Sequence, residues 1–248
     1  MISNDLKARM LACKRVCVFT GAGVSAESGI PTFRDSGGLW ENYKPEDLVT
    51  PEAFSRDPLT VWRWHVWLQN IAFNAQPNAA HKTIAAMDEY FPEFMLITQN
   101  IDTLHERAGT KRMLKIHGDI MQMLCLKNKH LIQLTNPIAQ DALNNPGSLP
   151  KCPYCGSTCR PNVVWFGECL CQETMERARD AVHNCDLLLI VGTSGAVSGG
   201  YGFAQLAMLN KALIVEVNTE QSALSHLVDE IILEPAAAVL PMLFDNFS

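Results

Sequence analysis

The chain has 248 residues, a length typical of one large domain or of a domain that carries insertions. Its hydrophobic content of 48% and charged content of 19% are ordinary for a soluble globular protein. The formal net charge of −6 disfavours general nucleic-acid binding, which needs a basic surface. No apolar run is long enough to cross a bilayer, and the N-terminus lacks the apolar segment of a signal peptide, so we expect a cytoplasmic protein.

Cysteine is frequent in this chain, with nine residues, and the odd number disfavours a complete set of disulfides. Cys17 and Cys185 lie in or beside apolar runs, where cysteine behaves as a small core residue. Cys152, Cys155 and Cys159 are too close together in the chain for that explanation to suffice. We therefore treat this second group as candidate metal ligands.

The chain begins with a helical pattern over residues 4–14, followed by an apolar run that predicts a buried strand over 15–20. A turn of small residues, Gly21-Ala22-Gly23, comes directly after this strand. Its glycines permit the close approach of a ligand, and such a turn before a helix offers N–H groups to a phosphate. The third glycine comes late, at Gly29, so the turn departs from the usual dinucleotide fingerprint. A simple tight turn is the alternative for this stretch taken alone.

Two stretches interrupt an otherwise regular alternation of strands and helices. Residues 36–75 are rich in Pro and Trp and predict a helical insertion, and residues 121–160 form an irregular, Cys-containing insertion. The predicted strands of the main domain cover residues 15–20, 93–98, 113–116, 162–166, 186–191, 213–217 and 230–233.

Strands that alternate with helices indicate parallel βαβ units. We predict an α/β fold: a Rossmann-like parallel sheet with helices on both faces, and a smaller domain made of the two insertions, the second of them zinc-ribbon-like. The main domain would then cover residues 1–35, 76–120 and 161–248.

Polar residues follow the ends of several predicted strands. These strand ends are followed by Gly21-Ala22-Gly23, Gln99-Asn100-Ile101-Asp102, His117, Gly192-Thr193-Ser194 and Asn218-Thr219-Glu220. In an open α/β sheet the ligand crevice lies outside the carboxyl ends of the strands, so these tips should converge on one crevice. The alternative is that they are merely polar loop starts.

Several segments together resemble the sirtuins, the NAD-dependent protein lysine deacylases, in sequence and in order along the chain. The matching segments are GAGVSAESGIPTFRD at 21–35, TQNIDTLHERAG at 98–109, IHG at 116–118, PNVVWFGE at 161–168, VGTS at 191–194 and VNTE at 217–220. AESGIPTFRDSGG and the run from CPYCG to RPNVVWFGE look most like the bacterial and mitochondrial branch that includes desuccinylases.

The resemblance implies that NAD is consumed as a co-substrate: the acyl group of an acyl-lysine moves to ADP-ribose and nicotinamide is released. It places the pyrophosphate on residues 21–25 and the nicotinamide near Ala22, Ile30, Asn100, Ile101 and Asp102. The full set of expected NAD-binding residues is Gly21, Ala22, Gly23, Ser25, Ala26, Glu27, Ile30, Pro31, Thr32, Phe33, Arg34, Trp40, Gln99, Asn100, Ile101, Asp102, Gly192, Thr193, Ser194, Asn218, Thr219, Glu220 and Ala236.

His117 and Asn100 are the expected catalytic residues. In the family the histidine that matches His117 takes a proton from a ribose hydroxyl, and imidazole suits this because it titrates near neutral pH. A structural histidine at a strand end is the alternative. Phe33 is expected to cover the reacting face and exclude water. His81 and His105 lie in predicted helices and are expected to have packing or capping roles.

The resemblance also assigns the substrate side. Val164, Trp165, Phe166, Gly167 and Glu168 match the family segment that lines the acyl-lysine tunnel and pairs by backbone with the peptide.

Desuccinylating relatives carry a Tyr-x-x-Arg pair that binds the acyl carboxylate, and His65 and Leu68 occupy those two places here. Leucine cannot pair with a carboxylate, although His65 could still donate one hydrogen bond. We therefore expect weak desuccinylation relative to removal of acetyl or longer apolar groups. Trp64 and Trp67 could line an apolar tunnel or form a small core beneath the insertion.

A structural zinc site usually has four thiolates in two C-x2-C pairs. Cys152 and Cys155 form one pair, but the pair expected to begin at Cys125 has Asn128 in its second place. We take Cys125, Cys152, Cys155 and Cys159 as the candidate ligands, with His130 as an alternative fourth ligand. Loss of the metal is the other interpretation.

The expected partners are acyl-lysine proteins or peptides, with no direct nucleic acid, no membrane and a monomeric state. Protein ADP-ribosyl transfer is the nearest rival activity, and an NAD-binding scaffold or sensor with weak catalysis is a rival of another class. A conventional dehydrogenase is disfavoured, because the first motif lacks regular GxGxxG spacing.

Overall fold

The structure is a computed structural model that describes residues 3–32, 44–144, 146–196 and 200–244. Three residues expected to bind NAD, Phe33, Arg34 and Trp40, lie outside the described residues. No helix in the described part of the chain has the length and apolar character needed to span a membrane.

A six-stranded parallel sheet forms the centre of the molecule, with strand order β3-β2-β1-β7-β8-β9. Its strands are β1 (Arg15–Thr20), β2 (Glu93–Thr98), β3 (Met113–Lys115), β7 (Leu187–Val191), β8 (Leu213–Asn218) and β9 (Glu230–Leu233). The predicted parallel sheet is confirmed, and its polar tips lie at one edge because all its strands run in the same direction.

Helices cover both faces of this sheet, as predicted. They are α1 (Asn4–Leu11), α2 (Gly23–Ala26), α6 (Ala79–Tyr90), α7 (Leu104–Ala108), α8 (Gln172–Asn184), α9 (Gly200–Leu209) and α10 (Ala236–Leu243). Val16 and Val18 of β1 pack in a core cluster with α1, α6 and α10, whereas Cys17 and Phe19 pack in a second cluster with α8 and α9. Because both faces are buried, β1 is a continuous apolar run rather than an alternating one.

A smaller part of the molecule combines helices with an antiparallel sheet of order β5-β4-β6. Its elements are α3 (Pro45–Leu48), α4 (Pro51–Arg56), α5 (Pro58–Asn74), β4 (Gly118–Cys125), β5 (Leu131–Gln133) and β6 (Cys159–Val163). Short 3-10 helices cover Gln140–Ala142, Pro146–Ser148 and, in the main part, Ser225–Leu227. The described architecture matches the predicted two-part fold, while the domain boundaries stay a prediction.

Helix α5 joins the two insertions. Asp57 caps it by accepting from the Thr60 N–H at 3.1 Å, and Pro58 occupies its first turn, where the missing donor costs nothing. Trp62 is fully buried, and its indole N–H donates to the Cys159 carbonyl at 3.0 Å. The Cys-containing insertion is therefore fastened to the helical insertion through a buried, satisfied tryptophan.

One predicted strand was wrong. The apolar run at 162–166 was expected to belong to the main sheet, but β6 ends at Val163 and pairs antiparallel with β4. Beyond it, the Val164 N–H donates to the His117 carbonyl at 2.9 Å, and the Phe166 N–H donates to the Val49 carbonyl at 2.9 Å. This run is apolar because it lines a cleft between the two parts of the molecule.

Candidate functional site

The glycine turn after β1 packs directly against the turn after β7. The Gly21 N–H donates to the Val191 carbonyl at 3.0 Å, and the Gly23 N–H donates to the Gly192 carbonyl at 2.8 Å. A Cβ on Gly21 would lie 2.8 Å from the Gly192 oxygen, and Gly192 itself has a φ of 59°. The two turns need glycine because their backbones touch, which leaves backbone atoms rather than side chains facing the cleft.

A cleft with a volume of about 700 Å³ lies at the carboxyl edge of the sheet. It brings together residues from the tips of β1, β2, β3, β7 and β8, which are distant in the sequence. The expected NAD-binding residues that line it are Ala22, Gly23, Ala26, Glu27, Thr32, Gln99, Asn100, Ile101, Gly192, Thr193, Ser194, Asn218, Thr219, Glu220 and Ala236. Gly21, the first residue of the turn, lines neither this cleft nor the smaller cavity beside it.

The smaller cavity has apolar walls and one polar end. Its lining residues are Ala22, Ser25, Ile30, Pro31, Leu68, Ala72, Asn100, Ile101, Asp102 and Ile120. At the polar end, the Ser25 hydroxyl donates to Asp102 Oδ2 at 2.9 Å and accepts from Asn100 Nδ2 at 3.2 Å. The Leu104 N–H donates to Asp102 Oδ1 at 2.9 Å. These contacts fix the orientations of three polar side chains, and the cavity offers a donor and an acceptor in an otherwise apolar space.

His117 lies half-buried in the wall of the larger cleft. Its Nδ1 is 2.9 Å from the Gln99 carbonyl oxygen. A carbonyl oxygen only accepts, so Nδ1 carries the proton and Nε2 keeps its lone pair. Burial lowers the pKa of His117, although the hydrogen bond to Gln99 opposes this shift. His117 is therefore a neutral base at neutral pH.

Gln99 lines the cleft and carries a buried amide nitrogen that has no hydrogen-bond partner among the described residues. Its Oε1 accepts from the Thr193 hydroxyl at 2.7 Å, which fixes the orientation of the amide. Because a buried donor without a partner is unfavourable, Gln99 Nε2 is suited to donate to a bound ligand.

The segment from Val164 to Glu168 is held rigidly at the mouth of the cleft. Glu168 Oε2 accepts from the Trp165 N–H at 2.8 Å and from Arg160 Nη2 at 2.9 Å. The Arg160 guanidinium also lies 3.4 Å from the centre of the Trp165 ring. Since the N–H groups of Val164, Trp165 and Phe166 already have acceptors, peptide pairing along this segment would have to use other backbone atoms.

The structure corrects the interpretation of His65. His65 is fully buried, its Nδ1 lies 2.8 Å from the Val61 carbonyl, and its Nε2 accepts from Trp165 Nε1 at 3.4 Å. Burial lowers its pKa to about 4, so the ring is neutral. The expected single donor to an acyl carboxylate is therefore absent, because Nδ1–H is used internally. Leu68 also differs from expectation, since it lines the smaller cavity rather than the larger cleft.

Several lining residues were not predicted from the sequence. They are Val49, Val163, Leu170, Val217, Gln221, Ser222, Ala223 and Pro235, whereas Trp64, one of the two candidates for an apolar tunnel, also lines the cleft. Most are apolar or belong to loops beyond the quoted motifs, and apolar residues at such positions have no signal that separates cleft walls from core. Arg160 was also missed as the anchor of the Val164–Glu168 segment, because its contacts with Glu168 and Trp165 form only in the folded turn.

The Cys-containing insertion brings together ligand atoms from Cys125, His130, Cys152 and Cys155, all within 4.8 Å of one another. His130 Nδ1 lies 3.2 Å from Cys152 Sγ, and the two thiols of Cys125 and Cys155 lie 3.5 Å apart. Three thiolates and one imidazole are a donor set that zinc accepts in tetrahedral structural sites. The residues therefore fit a zinc ion.

Cys159, the expected fourth ligand, is replaced in this group by its alternative His130. Lys129 adopts a left-handed conformation with φ of 56°, and the Cys125 N–H donates to the His130 carbonyl at 2.9 Å. This tight turn carries the His130 ring back to the thiols. Cys159 does not belong to this group of ligand atoms. It is fully buried in β6, in a cluster that contains Trp62 and Leu143 as well as Cys125 and Cys152.

The similarities of this chain to known proteins agree with the geometry of this site. The family model of the Sir2 family matches residues 21–199. The chain belongs to the Sir2 family. A relative from Pyrobaculum aerophilum, named NAD-dependent protein deacylase 2, is 45% identical over 240 residues, which cover 96% of this chain and 94% of the relative. The Aquifex aeolicus NAD-dependent protein deacylase is 42% identical over 231 residues, covering 93% of this chain and 94% of the relative.

Solved structures of Sir2 homologues share the whole fold. A Sir2 homologue in complex with NAD has a TM-score of 0.92 at 36% identity and covers 100% of this chain and 94% of that one. A mutant Sir2 homologue in complex with ADP-ribose has a TM-score of 0.93 at 36% identity, covering 99% and 96%. Both relatives are crystallised with NAD or its ADP-ribose part, which agrees with a nucleotide-sized cleft at the strand tips of this Sir2-family chain.

The Cys-containing insertion generates a prediction about metal content. We expect purified protein to contain about one zinc per chain, the number that a single tetrahedral site holds. His130→Ala should lose most of this zinc and unfold at a lower temperature, because three thiolates leave one position without a protein ligand. Cys159→Ser is the matched control and should keep the zinc. Zinc retained by His130→Ala and lost from Cys159→Ser would show that Cys159 is the ligand.

Proposed function

We propose that this Sir2-family chain is an NAD-dependent protein lysine deacylase, which transfers the acyl group of an acyl-lysine to ADP-ribose and releases nicotinamide. The observation that carries this proposal is His117, which lines the cleft together with the strand tips and the Val164–Glu168 segment, and whose Nε2 has no hydrogen-bond partner among the described residues. Relatives that are 40% to 45% identical are named NAD-dependent protein deacylases.

The cleft divides into parts that fit the parts of NAD. The turns after β1 and β7 and the tip of β8 would hold the ADP-ribose portion, where the backbone of these turns and the Ser194 hydroxyl line the cleft. The Asn218 amide donates to the Thr193 carbonyl at 2.9 Å and accepts from the Thr219 N–H at 3.0 Å, which fixes the shape of this end of the cleft.

The polar end of the smaller cavity matches the carboxamide of nicotinamide in chemistry, because a carboxamide needs both a donor and an acceptor and Asn100 and Asp102 supply them. The cavity, with a volume of about 20 Å³, would have to widen to admit the ring. When bound, NAD supplies the ADP-ribosyl group that accepts the acyl group.

His117 acts as the general base. Its Nδ1–H is held by the Gln99 carbonyl, so the ring of this cleft-lining residue keeps one orientation and Nε2 is the unprotonated nitrogen. Removing a proton from a ribose hydroxyl at Nε2 makes that oxygen a better nucleophile towards the acyl carbon. Gln99 Nε2, which has no other partner among the described residues, can hold a neighbouring hydroxyl in place.

The acyl-lysine side of the cleft excludes water. Trp165, His65 and Trp64 pack against one another there, with ring centroids 6.1 Å apart for His65 and Trp165 and 4.9 Å apart for Trp64 and His65. Aromatic walls would keep bulk water away from the ribose carbon that bears nicotinamide, so that capture of this carbon by the acyl oxygen is favoured over hydrolysis of NAD. The expected role of Phe33 in covering the reacting face stays a prediction.

The proposal is tested by mass spectrometry after incubating the protein with NAD and one acetyl-lysine peptide. Deacylation predicts free-lysine peptide, nicotinamide and O-acetyl-ADP-ribose in equal amounts. ADP-ribosyl transfer would instead produce a peptide or protein whose mass has increased by one ADP-ribosyl group. Binding of NAD with no consumption would support the scaffold or sensor interpretation.

The charge of the cleft generates a prediction about acyl choice. Its charged lining residues are Glu27, Glu168 and Glu220, and no lysine or arginine lines it among the described residues. An acidic acyl group would find no cation among these residues, and His65 offers it no donor, because His65 is neutral and both its ring nitrogens have partners. We expect kcat/KM for a succinyl-lysine peptide to be about tenfold or more below that for the acetyl-lysine peptide, the loss expected without one charged hydrogen bond.

The uncharged succinamide analogue of the same peptide is the matched control, since it has nearly the same size and shape. If charge decides, the amide should be removed faster than the acid. Equal rates for the amide and the acid, both slow, would attribute the discrimination to size. A faster rate for succinyl than for acetyl would contradict the expectation.

The pKa of His117 generates a prediction about pH dependence. Because burial lowers this pKa below the ordinary value of about 6.5, the imidazole stays neutral, and therefore competent as a base, at pH 6.5. Activity should be lost only as the pH falls through the lowered pKa. A profile of kcat/KM for NAD should therefore have its acid limb below pH 6.5. A midpoint at or above pH 7 would contradict the assignment.

A further inference from the structure

Lys115 carries a buried positive charge close to the candidate site. It is the last residue of β3, two residues before His117, and its side chain is only 13% exposed. Its Nζ donates to the Asp102 carbonyl oxygen at 2.6 Å, to Asp119 Oδ2 at 2.8 Å and to Glu106 Oε1 at 2.9 Å. An ammonium has three donors, so all three are satisfied.

These contacts join three segments that surround the cleft. Asp102 belongs to the loop after β2, which also carries Gln99 and Asn100, while Glu106 lies on α7. Asp119 is the second residue of β4, and its Oδ1 accepts from the Met121 N–H at 2.7 Å. One side chain therefore connects the loop, the helix behind it and the start of the strand that follows His117.

The charge is retained at neutral pH. Burial alone would lower the pKa of Lys115, but the charges of Glu106 and Asp119 outweigh burial and raise it. A buried cation with paired carboxylates is stable, whereas removing one partner leaves the other charge buried and unpaired. Asp119 is only 12% exposed and would be left in that condition if Lys115 were lost.

The contact with Asp102 is the one that reaches the site. Lys115 holds the backbone carbonyl of Asp102, while the side chain of Asp102 accepts from Ser25, which in turn accepts from Asn100. Movement of this carbonyl would displace the Asp102 side chain and, through Ser25, the Asn100 amide. The orientations of all three polar groups in the smaller cavity thus depend on where the loop is held.

We infer that Lys115 is a positioning residue for the NAD-cleaving site: its ammonium holds the loop of Asn100 and Asp102 in register with the strand end that carries His117. This inference rests on the proposed function. The competing interpretation is that Lys115 belongs to an ion cluster that stabilises the fold without affecting the site. The two interpretations predict different values of KM for NAD when the buried charge of Asp119 is removed together with that of Lys115.

The experiment uses three variants and one control in the full chain. Lys115→Met removes all three donors, and Lys115→Met with Asp119→Asn also removes the carboxylate that would be left unpaired, while an oxygen remains for the Met121 N–H. Lys115→Arg keeps the charge but cannot place one nitrogen against all three oxygens. Lys111→Met is the control, because Lys111 is 79% exposed and its Nζ lies 3.7 Å from Glu89.

Five quantities are measured for each protein. They are KM for NAD, KM for an acetyl-lysine peptide, kcat, the nicotinamide concentration that halves the rate, and the unfolding temperature. We expect Lys115→Met to raise KM for NAD and the inhibitory nicotinamide concentration by about tenfold, the effect of losing one charged hydrogen bond, with little change in KM for the peptide. The double variant should recover much of the unfolding temperature but none of the NAD and nicotinamide effects. Lys111→Met should match the parent.

Recovery of KM for NAD together with the unfolding temperature in the double variant would overturn the inference, because it would leave Lys115 only a structural role. If Lys115→Met does not fold, Lys115→Arg decides: a KM for NAD and a nicotinamide response equal to those of the parent would also overturn it. Failure of the proposed function is distinguishable, because the parent protein itself would then not deacylate the peptide with NAD.

Discussion

The contact between the turn after β1 and the turn after β7 is the constraint on which the rest of the site depends. Gly23 donates to the Gly192 carbonyl at 2.8 Å, and a Cβ on Gly192 would lie 2.5 Å from the Val24 nitrogen. Since neither turn has room for a side chain, the adjacent central strands β1 and β7 end in bare backbone, which a phosphate-bearing ligand can approach closely. The tips of β2, β3 and β8 complete the cleft because parallel pairing brings all carboxyl ends to one edge.

Helix α5 contacts both the Cys-containing insertion and the wall of the cleft. The indole of Trp62 binds the Cys159 carbonyl, whereas one turn later His65 accepts from Trp165 in the wall of the cleft. The same helix therefore fastens the candidate metal insertion and forms the acyl side of the cleft. We therefore expect a change in the packing of α5 to affect metal retention and acyl choice together.

The sheet and the location of the cleft could be predicted because their signals are local. β1 is buried on both faces and is therefore a continuous apolar run, and polar residues directly follow the ends of such runs. Other features depend on partners far away in the chain. His65 was expected to offer a donor to the acyl group, but its Nδ1–H is held by the Val61 carbonyl and its Nε2 accepts from Trp165. His130 belongs to the metal group because Lys129 adopts a left-handed conformation. The role of Lys115 likewise follows only from the folded positions of its acceptors.

The proposed chemistry depends on His117 as the base that acts on the ribose of NAD. The decisive measurement is the rate at which deacylated peptide forms in His117→Ala, at saturating NAD and peptide, compared with the parent chain. NAD binding is checked separately through the rise in unfolding temperature that NAD causes. We expect a rate lower by about a hundredfold or more, the usual contribution of a general base, with NAD binding retained. A rate equal to that of the parent would contradict this expectation.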